Sequence, residues 1–100
     1  MPIQERPRKY TVSLRGGRIT LVRRTFAVGH RVTREIAYRP GRSGVSVTER
    51  KFKNGRIQTT RKRIPRGRMR DVRLLMACFS NNADAELAWF LFPGAAIEYR

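Results

Sequence analysis

Residues 45 to 64 read VSVTERKFKNGRIQTTRKRI. At the centre stands Asn54-Gly55, a dipeptide suited to a two-residue hairpin loop because both residues tolerate the positive φ such a loop demands. Taking it as the loop pairs Lys53 with Arg56. Counting back, Arg50 faces Thr59, Thr48 faces Arg61 and Ser46 faces Arg63, and these six side chains share one face of the pair. The other face carries Val45, Val47, Glu49 and Lys51 with Gln58, Thr60, Lys62 and Ile64. Neither face is cleanly apolar. The Ser/Thr/Arg face reads either as an ordinary wet sheet surface or as a surface for phosphates and bases.

On both sides of this hairpin the chain carries further elements. Upstream, Pro40-Gly41-Arg42-Ser43-Gly44 breaks a strand from Arg31 to Tyr38 that sets Val32, Ile36 and Tyr38 on one side. Earlier still, Tyr10, Val12 and Leu14 alternate with Lys9, Thr11, Ser13 and Arg15. Gly16-Gly17 then marks a hairpin over 9–23, with Ile19 and Leu21 in the return strand. Downstream, Pro65 ends the strand, and Arg66 to Arg70 form a basic loop.

Asp71 to Phe79 fits two periods. As a helix, Val72, Leu75, Met76 and Phe79 form a stripe; as a strand, Val72, Leu74, Met76 and Cys78 share a side. Either way an apolar run of this kind predicts burial. Ser80-Asn81-Asn82 is a break. Asn82 suits a helix N-cap, with Asp84 and Glu86 in the first turn, and a helix over 82–92 ends at Pro93-Gly94. Leu87, Trp89, Phe90, Leu91 and Phe92 make that helix apolar nearly all round. One sheet covers one side only, so a second subunit is the economical cover for the other. Membrane insertion is the rival, but such a helix is too short to span a bilayer.

Composition bounds the function. The chain has 100 residues, 23 of them Lys or Arg and 7 Asp or Glu, for a net charge of +16. Nineteen of the basic residues are Arg, whose planar fork matches phosphate and stacks on bases. Hydrophobic residues make up 40%, too many for a disordered basic tail. A folded, Arg-rich domain of this charge predicts a nucleic-acid partner. The charge is also uneven: beyond residue 73 the only basic residue is Arg100.

Other chemistries find no footing. A single Cys (Cys78) allows no internal disulfide and no Cys-based metal site, and a single His (His30) allows no His dyad. The acids are scattered, and Gly16-Gly17 lacks the surroundings of a nucleotide loop. There is no run of 18 or more apolar residues, and MPIQERPRKY does not read as a signal peptide. The expectation is a non-enzymatic protein of a reducing cytosol, with no cofactor, no metal and no membrane partner.

The order of parts, an N-terminal GG hairpin, further strands and an apolar helix at the end, resembles the coat proteins of small single-stranded RNA bacteriophages. The most specific stretch is Cys78 to Leu87, which carries the pattern F-x-x-N-x-D-x-E-L in Phe79, Asn82, Asp84, Glu86 and Leu87. Gly16-Gly17 before Ile19-Thr20-Leu21-Val22, Phe26-Ala27 with Gly29, and Ile64-Pro65 are further echoes. The resemblance implies a strand over Asp71 to Phe79, dimers whose sheets join, an inner sheet face on the genome or an RNA hairpin, and interlocking outer helices. Carried over by position, the RNA-binding face holds Thr48, Arg50, Thr59, Arg61 and Arg63, with Asp71 and Arg73 from the last strand. Leu87, Trp89, Phe90 and Leu91 pack the helix and the dimer. The short C-terminus and the short loop Arg66 to Arg70 depart from that layout, as does the high charge.

The resulting expectation is an α+β fold in one coat-like domain over 1–100. It has an N-terminal hairpin at 9–23, an antiparallel sheet over 31–79 and a C-terminal α-helix at 82–92 packed on one face, in an intertwined dimer. Its function is that of a capsid subunit that binds single-stranded RNA, assembles into a homo-oligomeric shell in the host cytoplasm and resides in the virion. The alternative is a free RNA-binding module, such as a viral suppressor of RNA silencing or a ribosomal protein.

Overall fold

The computed structural model describes residues 4–79 and 85–99. Five strands follow one another as a meander: β1 (Arg6–Arg15), β2 (Arg18–Val28), β3 (Arg31–Pro40), β4 (Gly44–Lys53) and β5 (Arg56–Pro65). A single 3₁₀ turn (Arg66–Arg68) leads to α1 (Val72–Phe79), α2 (Ala85–Leu91) and a short β6 (Ala96–Tyr99). The sheet order is β5-β4-β3-β2-β1-β6, with the meander antiparallel and β6 parallel to β1. The architecture is thus a mostly β sheet with a small helical part, compatible with α+β; the sheet is mixed where an antiparallel one is expected.

Local turn chemistry builds the meander. Asn54 and Gly55 have φ of 52° and 73°, so both central positions of the β4–β5 turn are left-handed, as a type I′ loop requires. The pairing that follows, Arg50 with Thr59, Thr48 with Arg61 and Ser46 with Arg63, is the one counted from the sequence. At the other end of this hairpin Gly44 is obligatory for a different reason. A Cβ there would collide with the Ile64 carbonyl, and the 41–43 loop is closed by the Gly41 N–H donating to the Gly44 carbonyl at 2.8 Å.

The core lies between β1–β2 and the helices. Val12, Leu14, Ile19 and Val22 meet Leu74, Ala77, Ala88, Leu91, Phe92 and Ala95, with Tyr10, Tyr38, Met69, Leu87 and Ile97 packed around them. Burying a side chain such as Val22 or Phe92 contributes about 1.5–3 kcal/mol. The Phe92 ring sits 5.0 Å from that of Tyr10. From there the row is continued by cations and rings. The Arg24 guanidinium lies 5.0 Å from the Tyr10 ring and 5.2 Å from Phe26, and that of Arg34 lies 4.0 Å from Phe26. The molecule is 44 Å long, and this row of rings and guanidinium groups continues along the helix side of the sheet from the core.

The segment after the 3₁₀ turn corrects the strand implied over Asp71 to Phe79 and the sheet boundary of 31–79; this part of the sheet ends at Pro65, and 72–79 is helical. The reason is local. Asp71 caps the helix, its Oδ1 accepting the N–H groups of Arg73 at 3.0 Å and Leu74 at 3.3 Å, while its carbonyl accepts the Leu75 N–H at 3.0 Å. Leu, Met and Ala in the run are strong helix formers. Its burial also differs from expectation: Leu74 and Ala77 face the core, and Val72 and Met76 are exposed.

Of the helix expected over 82–92, Ala85–Leu91 is observed, and residues 82–84, with the Asn82 cap, lie outside the described residues. The Phe92 N–H still donates to the Ala88 carbonyl at 2.9 Å. Gly94, at φ 77°, then reverses the chain so that Ala96–Tyr99 runs back beside β1.

Candidate nucleic-acid interface

Strand alternation sorts the side chains. Val12, Val22, Tyr38 and Val47 are in register across β1 to β4 and face the helices. The opposite, open side is therefore made by the alternate positions. One row runs Arg23, Ala37, Thr48, Arg61; the next runs Thr25, Glu35, Arg50, Thr59; and Arg39, Ser46 and Arg63 form a third. The expected residues Thr48, Arg50, Thr59, Arg61 and Arg63 thus come together on one surface with nothing packed over it among the described residues.

Asp71 and Arg73 do not join them, because the strand that was to carry them is a helix. With α1 in place of a strand, Asp71 is a helix cap, and Arg73 lies beside it, Nε to Oδ1 at 3.8 Å. The surface gains other residues instead. Arg39 stands opposite Ser46, and Glu35 stands opposite Arg50. Phe52 pairs with Ile57 at the far end, and Ile57 is exposed beside Arg50, Thr59 and Arg61 around a shallow depression. The signal for Glu35, Ala37 and Arg39 was present in the alternation that set Val32, Ile36 and Tyr38 on the other side. The same alternation along β4 adds Phe52.

Electrostatics separates the two sides of the sheet. On the helix side of the strands Glu5 meets Arg34 at 3.0 Å, and Glu49 lies 3.7 Å from both Arg34 and Lys51. On the open side Arg23 meets Glu98 at 3.6 Å, with the Ser13 hydroxyl donating to the same carboxylate at 3.2 Å. Arg39, Arg50, Arg61 and Arg63 form no ion pair among the described residues. The charge continues round the end of the sheet, where the Arg66 N–H donates to the Ser43 carbonyl at 2.9 Å and brings the 3₁₀ turn beside Arg42. β5 is an edge strand carrying Arg56, Arg61, Lys62 and Arg63, and like charges on such an edge oppose pairing with a second copy.

The four residues expected to pack the helix divide. Leu91 is buried and Leu87 packs against the core, whereas Trp89 and Phe90 are 58% and 76% exposed. With Val72 and Met76 they leave large apolar side chains uncovered on the outer side of the helices.

Among the described residues no cluster of His, Cys, Asp or Glu could hold a metal ion, and no helix is long and apolar enough to cross a membrane. Cys78 is half-buried, and burial pushes its thiol up to about 11, so the reactive thiolate is scarce at neutral pH. Burial likewise raises the Tyr38 phenol above its ordinary value, with the nearby Tyr10 adding to the effect. Compared with models of known protein families, with curated proteins and with solved structures, the chain matches none of them.

Proposed function

We propose that the protein is a non-enzymatic RNA-binding structural protein that holds single-stranded RNA on the open side of its sheet. The observation that carries this reading is the set Arg39, Arg50, Arg61 and Arg63, unneutralised and interleaved with the hydroxyls of Ser46, Thr48 and Thr59, on the side opposite the helices. Guanidinium groups take phosphates bidentately. Hydroxyls and the Phe52–Ile57 pair offer hydrogen bonds and apolar contact to unstacked bases. A duplex gives a flat sheet little to read, whereas splayed single-stranded bases lie against it.

The narrower reading is a capsid subunit that assembles through homodimers into an RNA-filled shell in the host cytoplasm and resides in the virion. It is supported by the sequence resemblance and by the uncovered Val72, Met76, Trp89 and Phe90, which a second copy would bury. The cationic β5 edge favours dimer contact through the helices over a joined sheet. The second reading, a free RNA-binding module such as a viral silencing suppressor or a ribosomal protein, is favoured by α1, which stands where the coat layout has a strand.

One experiment separates these readings: expression, purification without nuclease, electron microscopy and measurement of co-purified RNA. Uniform closed shells with protected RNA support the capsid. Dimers or monomers carrying RNA support the module. A protein that purifies free of nucleic acid and binds no added RNA overturns both.

A further inference from the structure

Glu35 stands directly opposite Arg50 in the β3–β4 pair, yet its carboxylate makes no ion pair and no hydrogen bond among the described residues. The neighbouring Arg23 is turned to Glu98 at 3.6 Å. A depression of about 160 Å³ separates the groups, with Leu21 and Ala37 among its lining beside Glu35, Arg39, Thr48 and Arg50. It exists because Ala37 is small and buried, while its neighbours two residues away on β3, Glu35 and Arg39, are long. It offers about five times the ~30 Å³ share of one liquid water, enough for a ring of several heavy atoms.

A carboxylate amid arginines weakens phosphate binding, and it accepts hydrogen bonds but donates none. A polyanion's phosphates have no hydrogens to give it; its base edges do. Two carboxylate oxygens match two adjacent donors, and among the bases only guanine presents two on its pairing edge, the ring N1–H and the exocyclic N2–H. Adenine and cytosine place an acceptor nitrogen beside their one amino group, and uracil flanks its one N–H with carbonyls. We propose, resting on the RNA-binding reading above, that this depression is a guanine-selective pocket in which Glu35 accepts N1–H and N2–H while Arg39 and Arg50 hold the flanking phosphates or stack on the base.

The test uses the full chain and a short uridine-rich RNA with one guanosine, inosine, adenosine or cytidine at its centre. Wild type binds the guanosine RNA at least about fivefold more tightly than the inosine RNA, which lacks only the N2 amino group, the lower end expected when a bidentate pair is reduced to a single hydrogen bond. Glu35→Gln shrinks that preference, because an amide presents one acceptor oxygen where the carboxylate presents two. Equal binding of guanosine and inosine RNAs by wild type, or strongest binding of the cytidine RNA, overturns the pocket. The inosine comparison needs no variant, so a misfolded Glu35→Gln leaves the test intact. Wild type that binds none of the four RNAs in a salt-dependent way overturns the RNA reading itself.

Discussion

Arg61 and Arg63 are the two cations that β5 projects onto the open side, and Lys62 between them projects to the other. This alternation makes a controlled perturbation out of adjacent residues. Every phosphate of a single strand that the protein no longer neutralises lowers the log–log salt slope of binding by about 0.7, so the Arg61→Ala/Arg63→Ala double variant lowers it by about 1.4. Between about 50 and 200 mM salt, wild-type affinity then falls about sevenfold more than that of the double variant. Lys62→Ala removes the same kind of charge from the same exposed edge strand and leaves the slope within experimental error of wild type. The assay is fluorescence anisotropy of a labelled single-stranded RNA across a salt series, with circular dichroism to show that the variants fold. All three side chains are exposed, so neither substitution opens a cavity. An equal reduction of slope for Lys62→Ala refutes a face-specific site, leaving only a charged edge. An unchanged slope for the double variant, with a reduction for the Arg6→Ala/Arg8→Ala variant, moves the RNA site to the start of β1.

Other expectations follow from individual side chains. Phe90 is exposed on the outer side of the helices, so on the proposed capsid reading Phe90→Asp leaves the monomer folded and prevents its assembly; sedimentation velocity that shows the same assembly for wild type and variant removes this surface from the interface. Gly44→Ala forces a methyl group into the Ile64 carbonyl and lowers stability by about 1–3 kcal/mol, read by urea denaturation. Burial raises the Cys78 thiol to about 11, so the neutral form dominates below that value; alkylation by iodoacetamide is slow at pH 8 and rises about tenfold per pH unit up to about pH 11, and a rate that levels off near pH 9 refutes the shift.

Short-range chemistry was legible in the chain. Asn54-Gly55 and Gly16-Gly17 specify their turns because a left-handed backbone at both loop positions excludes most other residues. Once a two-residue loop is placed, antiparallel pairing leaves no freedom, and the shared face of Thr48, Arg50, Thr59, Arg61 and Arg63 follows by counting. The helix at Val72–Phe79 was legible in part. Asp71 ahead of a Leu/Met/Ala run is a cap signal, but an apolar run of eight residues satisfies both periods, and the resemblance to the coat layout pointed to a strand.

Three features belong to the assembled molecule. An all-round apolar helix has no face that says which side turns inward; packing on Val12 and Val22 selects Ala88 and Leu91 and leaves Trp89 and Phe90 outside. The four residues of β6, with Ile97 and Tyr99 alternating about Glu98, are too few to specify a strand alone, and they become one because the reversal at Gly94 returns the chain to the open edge of β1. Glu35, Arg39 and Arg50 lie far apart in sequence, and it is the β3–β4 register that gathers them around one depression. The turns, the strands beside them and the charge balance depend on neighbours a few residues away, so the linear chain already specifies them. Which faces are covered, and which charges stand together, depends on packing between distant segments, and that is settled only when sheet and helices meet.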